Sequence, residues 1–357
     1  MPEEGQSLLH GGLTPTGGQT PPEQKIMNKK YDVITFGSAS RDIFLKADEF
    51  SIGDFKKDHI EKEILLPFGF KIDIKEIHFR SGGGGTNAAA TFSSQGLKTA
   101  YCGTIGKNPE GEEILKDLKE NKIETKFVLR TDKKPTNFSV IFSTPKERTI
   151  LAYKGASQLL FTKDIQWSEI KKTKWFYLAP LGSGLFGVFN QLVFFAKSNQ
   201  IDIMLNLDSF QLKLNSKVLY PLLQKVNILL LNQEEGQMLI KDSSLVGEKL
   251  VREIRKIFQG ILIITNGSKK VLVSDGKFLY SALPLKLKTK IVDTTGAGDA
   301  FGAGFLSGYI KKQGDIVYSI QTAVANSAYC IRKFGAKQGL LKKGQKFKKT
   351  KVVQQKW

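Results

Sequence analysis

The sequence predicts an α/β fold: a doubly wound, mostly parallel sheet with a small β-rich lid. First, short runs of β-branched and aromatic residues alternate with segments of helical periodicity. Second, two β-rich stretches, 44–80 and 127–153, interrupt this alternation. Third, a glycine-rich loop near the C-terminus stands between a strand-like run and a helical run. Strands that alternate with helices favour right-handed crossovers and a parallel sheet, whose ligands bind at the carboxyl ends of the strands.

The predicted elements follow one another from residue 31 onward. The proline at position 109 suits the first turn of a helix. Predicted strands at 138–142 and 149–153 flank a turn at 143–148. The two β-rich stretches can form one small sheet, a lid that closes over a ligand and excludes water. The remaining predicted strands are 31–36, 99–102, 175–179, 202–205, 227–231 and 261–265, and the predicted helices are 109–121, 185–199 and 247–258.

The two ends of the chain differ in composition from the middle. Residues 1–27 are rich in Gly, Pro, Thr and Gln, a composition that favours a disordered tail, and ordered patterning begins directly after Met27, which is an alternative start. Residues 28–340 form one predicted domain. Residues 341–357 are rich in lysine and are predicted to be a basic, solvated tail.

Composition excludes several classes of protein. With 41% hydrophobic residues, the chain contains no apolar run near the roughly 18 residues that a membrane span requires. Two distant cysteines suggest neither disulfides nor zinc, so we expect a reducing cytoplasm. The net charge of +20 raises nucleic-acid binding as an alternative. The lysines are spread along the chain without alternating aromatic residues, so nucleic acid is not expected to be the main partner.

The strongest chemical signal is segment 293–302, which reads D-T-T-G-A-G-D-A-F-G. Small residues at Gly296, Ala297 and Gly298 let backbone amides point into one cavity at a helix N-terminus, where the helix dipole favours anions. Asp299 follows in the first helical turn, positioned to accept a proton from an attacking hydroxyl. The spacing matches neither a P-loop nor the dinucleotide motif. The alternative is that the glycines permit close helix packing and Asp299 caps the helix.

A second glycine-rich segment occupies positions 82–85 and is followed by Thr86 and Asn87. Four glycines allow the backbone to approach a polyhydroxylated ligand closely. The Asn87 amide can donate a hydrogen bond to such a ligand and accept one from it. A flexible hinge at the base of the lid is the alternative interpretation.

Together these motifs resemble the ribokinase-like, or PfkB, carbohydrate kinase family over residues 31–339. The family signature D-T-x-G-A-G-D is complete here, and the resemblance implies that Asp299 is the catalytic base. Segment 37–42 is similar to the strand end whose aspartate orients the sugar hydroxyls; a turn or cap role is the alternative for this aspartate. The resemblance assigns the anion hole to Gly296, Ala297 and Gly298, and substrate binding to Asp42, Gly82, Gly83 and Asn87.

The resemblance also implies a nucleotide and metal site. Residues 232–235 read N-Q-E-E and match the family motif N-x-x-E, so Glu235 would organise Mg²⁺ through water. A loop asparagine with a glutamate at a helix start is the plain alternative. Asp293 would hold a monovalent cation such as K⁺. The implied ATP contacts are Asn232, Thr265, Gly267 and Asn326.

The sequence departs from patterns of the family at three positions, two of them typical of ribokinases. Ribokinases carry a lysine where this chain has Gly84 and an asparagine where it has Ser40, which speaks against assuming ribose as the acceptor. Lys154 replaces a glutamate that some members place near the substrate. A lysine there could reach an anionic acceptor, or could be a solvated charge on the lid.

We therefore expect ATP-dependent phosphorylation of a primary hydroxyl of a sugar or sugar-like compound. A nucleoside kinase of the same family is the nearest alternative. A non-catalytic ATP-binding protein or a nucleic-acid-binding protein is the alternative from another class. Lid strands with free edges suggest a homodimer.

Overall fold

The structure is a computed structural model that describes residues 29–46, 51–57, 60–66, 68–143, 148–286 and 290–357. The predicted N-terminal tail and the alternative start at Met27 lie outside these residues, as does the 144–147 part of the predicted lid turn. Within the described ranges, no helix is both long and apolar enough to cross a membrane.

Strands and helices alternate along the chain as the sequence predicts. The strands are β1 Tyr31–Phe36, β2 Ser40–Lys46, β3 Ser51–Lys57, β4 Ile60–Leu65, β5 Glu76–Gly82, β6 Thr99–Gly106, β7 Val128–Thr131, β8 Asn137–Ser143, β9 Arg148–Tyr153, β10 Thr173–Leu178, β11 Asp202–Asn206, β12 Ile228–Asn232, β13 Ile261–Thr265, β14 Val271–Ser274, β15 Phe278–Ala282 and β16 Val352–Lys356. The α-helices are α1 Gly84–Ser94, α2 Pro109–Glu120, α3 Trp167–Ile170, α4 Phe186–Ser198, α5 Ser209–Leu212, α6 Ser216–Leu223, α7 Gln233–Ile240, α8 Gly247–Arg255, α9 Ala297–Lys311 and α10 Ile316–Cys330.

The central sheet has the order β16-β15-β14-β13-β12-β11-β10-β1-β6-β7. The seven strands β13, β12, β11, β10, β1, β6 and β7 are parallel to one another. Strands β14, β15 and β16 add an antiparallel edge. From β1 the chain builds β6 and β7 on one side and then crosses to β10 on the other side. The strand order therefore reverses between β1 and β10, which is where an open parallel sheet places its ligand crevice.

Apolar side chains cover both faces of the sheet. On β1, Ile34 and Phe36 pack into the layer that includes Phe189 of α4, whereas Val33 packs into the opposite layer with Phe305 of α9. All five side chains are fully buried. Each such burial contributes about 1.5–3 kcal/mol to folding, so the sheet is a rigid base for the loops at its carboxyl edge.

The lid is a second sheet with the order β5-β2-β8-β9. Its limits differ from those predicted. The first segment begins at β2, because the chain turns into the lid directly after β1. In the second segment, β7 pairs with β6 of the central sheet, so only β8 and β9 belong to the lid. The β3–β4 hairpin forms a separate two-stranded sheet.

The C-terminal segment differs from the predicted solvated tail. Val352–Lys356 forms β16, which pairs antiparallel with β15 along its length. Lysine is tolerated because β16 is an edge strand with one side facing solvent. The Arg252 guanidinium lies 4.2 Å from the centre of the Trp357 ring and fixes the end of this strand to α8.

Candidate active site

A cavity of about 370 Å³ lies at the carboxyl ends of β1 and β10, between the central sheet and the lid. It occupies the point at which the strand order reverses. Its polar lining comes from the loop after β1, the lid strands and the start of α9. The residues that line it include Ser40, Asp42, Gly83, Asn87, Asn137, Ser139, Lys154, Ser157, Asp208, Thr295, Gly296 and Asp299.

A second, more open depression of about 580 Å³ lies at the amino-terminal edge of the sheet. Lys30, Lys98, Lys119 and Lys122 line it. It lacks the convergent carboxylates of the first cavity and lies at the edge opposite to the one where parallel sheets bind ligands. We assign the chemistry to the first cavity.

Asp299 lies in the first turn of α9, as predicted from the signature. The first amides of a helix have no intrahelical acceptor, so those of Gly298 and Asp299 remain free to bind an anion. Gly296 precedes the helix with φ of 73°, a left-handed conformation. A Cβ atom there would lie 2.1 Å from the Ala336 Cβ, so both the turn and the close approach require glycine.

A hydrogen bond of 2.9 Å runs from Asn87 Nδ2 to Asp299 Oδ2. The carboxylate can only accept, so the amide nitrogen must face it. Burial raises the pKa of Asp299, and the negative charge of Asp42 adds to that rise, whereas the Asn87 bond lowers it. Asn87 is 5% exposed and its Oδ1 atom has no hydrogen-bond partner among the described residues. A buried amide oxygen without a donor costs about 1–3 kcal/mol, which points to a ligand hydroxyl.

Asp42 faces the same cavity from β2 and is 6% exposed. The Ser40 hydroxyl donates to Asp42 Oδ1 at 2.8 Å. Burial raises the pKa of Asp42, and the bonds from Ser40 and Ser139 lower it. A Cβ atom at Gly82 would lie 1.8 Å from Asp42 Oδ2, so Gly82 serves by making room for this carboxylate.

The structure adds polar residues that the sequence did not indicate. Asp208 precedes α5, and its carboxylate accepts three backbone amides, from Gly182 at 2.8 Å and from Phe210 and Gln211 at 2.9 Å each. It thereby fixes a loop of the cavity wall. The signal available in the sequence was its place two residues after the end of a strand.

Asn137 and Ser157 also line the cavity, but both serve the fold. Asn137 Oδ1 accepts the amides of Gly155 and Ser157, and so holds the lid strand β8 to the segment after β9. Lys154 lies between them in sequence and is exposed at the cavity wall. No feature of the sequence indicated that Asn137 and Ser157 would line the cavity.

The predicted nucleotide and magnesium residues lie apart from this cavity. Asn232 and Glu235 cap α7 reciprocally: Asn232 Oδ1 accepts the Glu235 amide at 2.8 Å, and Glu235 Oε2 accepts the Asn232 amide at 2.8 Å. Thr265 is the neighbour of Asn232 across β12 and β13. Gly267 follows β13 with φ of 51°. These groups share the carboxyl edge of the sheet, and burial raises the pKa of Glu235.

Asp293 links the loop before α9 to the segment after α10. Its Oδ1 accepts the Thr295 amide at 2.9 Å and its Oδ2 accepts the Gly335 amide at 3.0 Å. Within the described ranges, no group of three or more His, Cys, Asp or Glu side chains stands close enough to hold a metal ion. A cation at Asp293 would therefore depend on backbone oxygens.

Asn326 differs from the ATP contact that the resemblance implies. It is fully buried in α10, where Nδ2 donates to the Ala300 carbonyl at 2.8 Å and Oδ1 accepts the Leu341 amide at 2.9 Å. Both ends of the amide are used in joining α9, α10 and the following segment. The side chain is therefore structural and is not available to a nucleotide.

Comparison with known proteins decides the family. A profile described as the pfkB family of carbohydrate kinases matches residues 46–343. The chain belongs to this family. It is therefore a carbohydrate or nucleoside kinase, an enzyme that transfers a phosphoryl group to an alcohol.

Relatives of this pfkB kinase carry several names. It is 29% identical over 310 residues to a ribokinase of Lactococcus lactis, with 85% of this chain and 97% of that one covered. It is 28% identical over 253 residues to an uncharacterized sugar kinase of Archaeoglobus fulgidus, with 70% and 97% covered. The structure of Arabidopsis thaliana ribokinase complexed with ribose and ATP shares the fold, with a TM-score of 0.71, 18% identity and 87% and 96% covered.

Proposed function

We propose that this protein transfers the γ-phosphate of ATP to a primary hydroxyl of a sugar or sugar-like molecule, with Asp299 as the general base. One observation carries the proposal: the Asp299 carboxylate lies at a helix N-terminus, bonded to Asn87, in the cavity that Asp42 also faces. The proposed base, the proposed anion site and the proposed acceptor-binding groups thus line the same cavity. Support for ATP comes from the ribokinase neighbour that is complexed with it.

The chain's own groups have distinct roles in this proposal. Asp42 and Asn87 bind acceptor hydroxyls, Gly83 brings the backbone close to them and Gly82 leaves room for Asp42. Asp299 removes the hydroxyl proton as the oxygen attacks in line. Negative charge that develops on the transferred phosphoryl group is bound by amides of the loop Gly296, Ala297 and Gly298, which are already oriented and need no rearrangement.

The nucleotide would lie along Asn232, Thr265 and Gly267 at the carboxyl edge of the sheet. Bound Mg²⁺ would neutralise phosphate charge there. Glu235 suits such an ion, because its Oε1 atom has no hydrogen-bond partner among the described residues and carboxylate oxygens are preferred ligands. Asp293 would accept a monovalent cation such as K⁺. The buried, unpaired Cys102 and Cys330 suit the cytoplasm.

A nucleoside is the second candidate acceptor, and the lid favours it. Ile141, Ile150 and Ala152 line the lid side of the cavity, opposite the polar groups. Apolar side chains suit the flat face of a base better than a free sugar. An adenosine kinase of Schistosoma mansoni also shares the fold, with a TM-score of 0.70, 23% identity and coverage of 87% and 97%.

A substrate panel tests the proposed function. Purified protein with ATP and Mg²⁺ is offered pentoses, hexoses, sugar phosphates, sugar acids and nucleosides, and ADP formation is measured. We expect one class to raise ADP formation at least about tenfold over ATP alone, because the acceptor hydroxyl is the attacking group in the transfer. Preference for anionic sugars would assign a role to Lys154, and loss of that preference in Lys154→Ala would confirm it. No acceptor-dependent ADP from any class would contradict the proposal.

We also propose a homodimer formed through the outer face of the lid. Cross-strand pairing aligns Phe79, Ile43, Val140 and Leu151 in one apolar row across all four strands. Phe79 is 46% exposed and Leu151 is 58% exposed. We propose that the same face of a second copy of the chain packs against this row. A two-fold axis between the two molecules would bury both apolar rows.

Leu151→Asp should convert this dimer to a monomer. A buried aspartate without a partner opposes association strongly. Sedimentation should give twice the chain mass of 39.7 kDa for the natural protein and the single mass for the variant. Val246→Asp is the matched control, because Val246 is 52% exposed but precedes α8, outside the lid. A natural protein that sediments as a monomer at micromolar concentration would refute the dimer.

A further inference from the structure

The last part of the chain carries most of its net positive charge. Residues 301–357 contain twelve Lys and Arg residues and a single acidic residue, Asp315. They therefore supply eleven of the net +20 charges from about a sixth of the chain. Lys337 is buried and pairs with Asp117 at 2.6 Å, whereas every other lysine of this part is exposed. The charge is thus presented on the surface.

The basic segment between α10 and β16 is held to the body of the protein. Near its start, the Leu341 carbonyl accepts a hydrogen bond from the Ser94 hydroxyl at 2.9 Å, and the Lys343 amide donates to the Ser94 carbonyl at 2.8 Å. Near its end, the Thr350 hydroxyl donates to the Leu283 carbonyl at 2.9 Å. The lysines of this segment therefore stand on a fixed backbone.

Lysines from α9 and from this segment converge. The Lys312 ammonium, just after α9, lies 5.6 Å from the centre of the Tyr318 ring, and the Lys349 ammonium lies 5.9 Å from the same centre. Burial lowers the pKa of Lys311, and the positive charge of Lys343 lowers it further. Like charges that the fold holds together repel one another, so an anion bound between them would be stabilised.

We name these exposed lysines the basic face. Its members are Lys311, Lys312, Lys342, Lys343, Lys346, Lys348, Lys349 and Lys351. Within the described ranges none of them forms an ion pair. Asp315 lies between α9 and α10, and its Oδ1 atom accepts the Tyr318 amide at 2.9 Å as the cap of α10. The fold thus provides the basic face with no carboxylate partner.

The basic face continues to the amino-terminal edge of the central sheet. Helix α9 begins at the proposed kinase cavity and runs to the opposite edge, where Tyr309 packs against Trp175 near the start of β10. A Cβ atom at Gly96 would lie 2.5 Å from Lys343 Cδ, and Lys98 follows two residues later. Lys98 lines the open depression of about 580 Å³ together with Lys30, Lys119 and Lys122. The positive surface is therefore long and remote from the kinase cavity.

We propose that the basic face binds the phosphate backbone of a nucleic acid. A lysine ammonium binds phosphate as a point charge, and the release of condensed counter-ions drives such binding. Charges spread over several elements suit a repeating anion better than a compact one. Lysine contacts to phosphate carry no base information, so binding should be independent of sequence. The inference goes beyond the proposed kinase function and does not depend on it.

An anionic membrane is the alternative partner for a lysine-rich surface. Segments that bind at a membrane surface combine lysines with apolar side chains that enter the lipid. Residues 301–351 are all described, and no large apolar side chain among them is exposed. Phe347, which lies among the lysines, is half-buried and packs on Tyr318 with 6.2 Å between ring centres. A nucleic acid needs no such insertion, so the surface favours it.

Fluorescence anisotropy tests the proposal with the full chain. Labelled single-stranded poly(U) RNA and a labelled duplex DNA of random sequence are each titrated with protein at several salt concentrations, and the two probes distinguish single from double strands. We expect a Kd of about 1–100 µM for one or both probes at physiological salt, with affinity falling steeply as salt rises. No binding of either probe at about 0.05 M salt, where such contacts are strongest, would overturn the proposal.

The triple variant Lys346→Gln, Lys348→Gln and Lys349→Gln locates the binding. It removes three exposed charges of the basic face, so the fold should be preserved, as circular dichroism would verify. Affinity at about 0.1 M salt should fall at least about tenfold. For the single strand, the slope of log K against log salt should become shallower by about 2, which is about 0.7 for each lost phosphate contact.

The matched control is Lys213→Gln, Lys217→Gln and Lys249→Gln. These lysines are exposed on the α5, α6 and α8 side, and their loss changes the net charge by the same amount. Affinity should stay within about twofold, because charges beyond roughly 10 Å are screened. Equal losses in both triple variants would overturn the basic face as the site.

Vesicles test the alternative partner. Binding of the protein to phosphatidylserine vesicles, without binding to either nucleic acid, would overturn the proposal and assign the basic face to a membrane. Kinase activity is measured separately in the substrate panel. A protein that binds RNA through the basic face but phosphorylates no acceptor would refute the proposed kinase function and support this inference.

Discussion

Asp299→Asn should lower kcat about a thousandfold while nucleotide affinity stays within about twofold. The asparagine has nearly the same shape and can keep a hydrogen bond to Asn87, so the cavity should be preserved. It cannot remove the proton of the attacking hydroxyl. Turnover is measured with the acceptor found in the substrate panel, and ATP affinity by calorimetry.

The control for this variant is Asp132→Asn. Asp132 is 79% exposed and its nearest ion pair, to Lys107, spans 3.9 Å. The same chemical change there should leave kcat unaltered. Near-normal turnover in Asp299→Asn would remove Asp299 from the role of base and leave it as the buried hydrogen-bond partner of Asn87.

Gly296→Ala should destabilise the protein by about 2–4 kcal/mol and abolish most activity. The new methyl group would lie 2.1 Å from the Ala336 Cβ and 2.9 Å from its Cα, at a φ of 73° that alanine avoids. The loop must shift, and its amides would then no longer point at the transferred phosphoryl group. Chemical denaturation measures the free energy of unfolding.

Gly298→Ala provides a comparison of stability with identical chemistry two residues away. A Cβ atom at Gly298 meets nothing within 4 Å, and the residue lies inside α9. Its free energy of unfolding should change by less than about 1 kcal/mol, since alanine is the better helix former. Equal losses of stability in both variants would show that Gly296 is not under the steric constraint described above.

The fold could be predicted from the sequence for a physical reason. Strands of the parallel sheet are buried on both faces, so they appear as short continuous apolar runs that are easy to recognise. The residues that follow them are placed at one edge by topology alone. Asp42, Asn87 and Asp299 face one cavity although they come from three segments far apart in the chain. The sequence marked them by motif rather than by strand topology, because Asp42 lies in the lid strand β2, Asn87 follows the lid strand β5 and Asp299 follows the antiparallel edge strand β15.

The features that sequence reasoning missed depend on burial rather than on residue type. Lys337 stands in a lysine-rich segment, and nothing in the neighbouring residues shows that its side chain is buried. Asn326 resembled a ligand contact because a buried polar residue and a binding residue share the same chemistry. Val352–Lys356 is polar enough to look like a tail, and its pairing is decided by the free edge of β15.

The Asn87–Asp299 hydrogen bond joins residues 212 positions apart in the chain. Closing so long a loop costs chain entropy that local contacts do not offset, so we expect this bond to form only after the strands that carry the two helices have paired. We therefore expect the Asp299 carboxylate, the proposed base, to acquire its partner late in folding. An intermediate that has formed only one half of the sheet would contain the helices of that half but would lack the Asn87–Asp299 pair, and it should therefore be inactive. Recovery of enzymatic activity would then measure the assembly of the whole molecule.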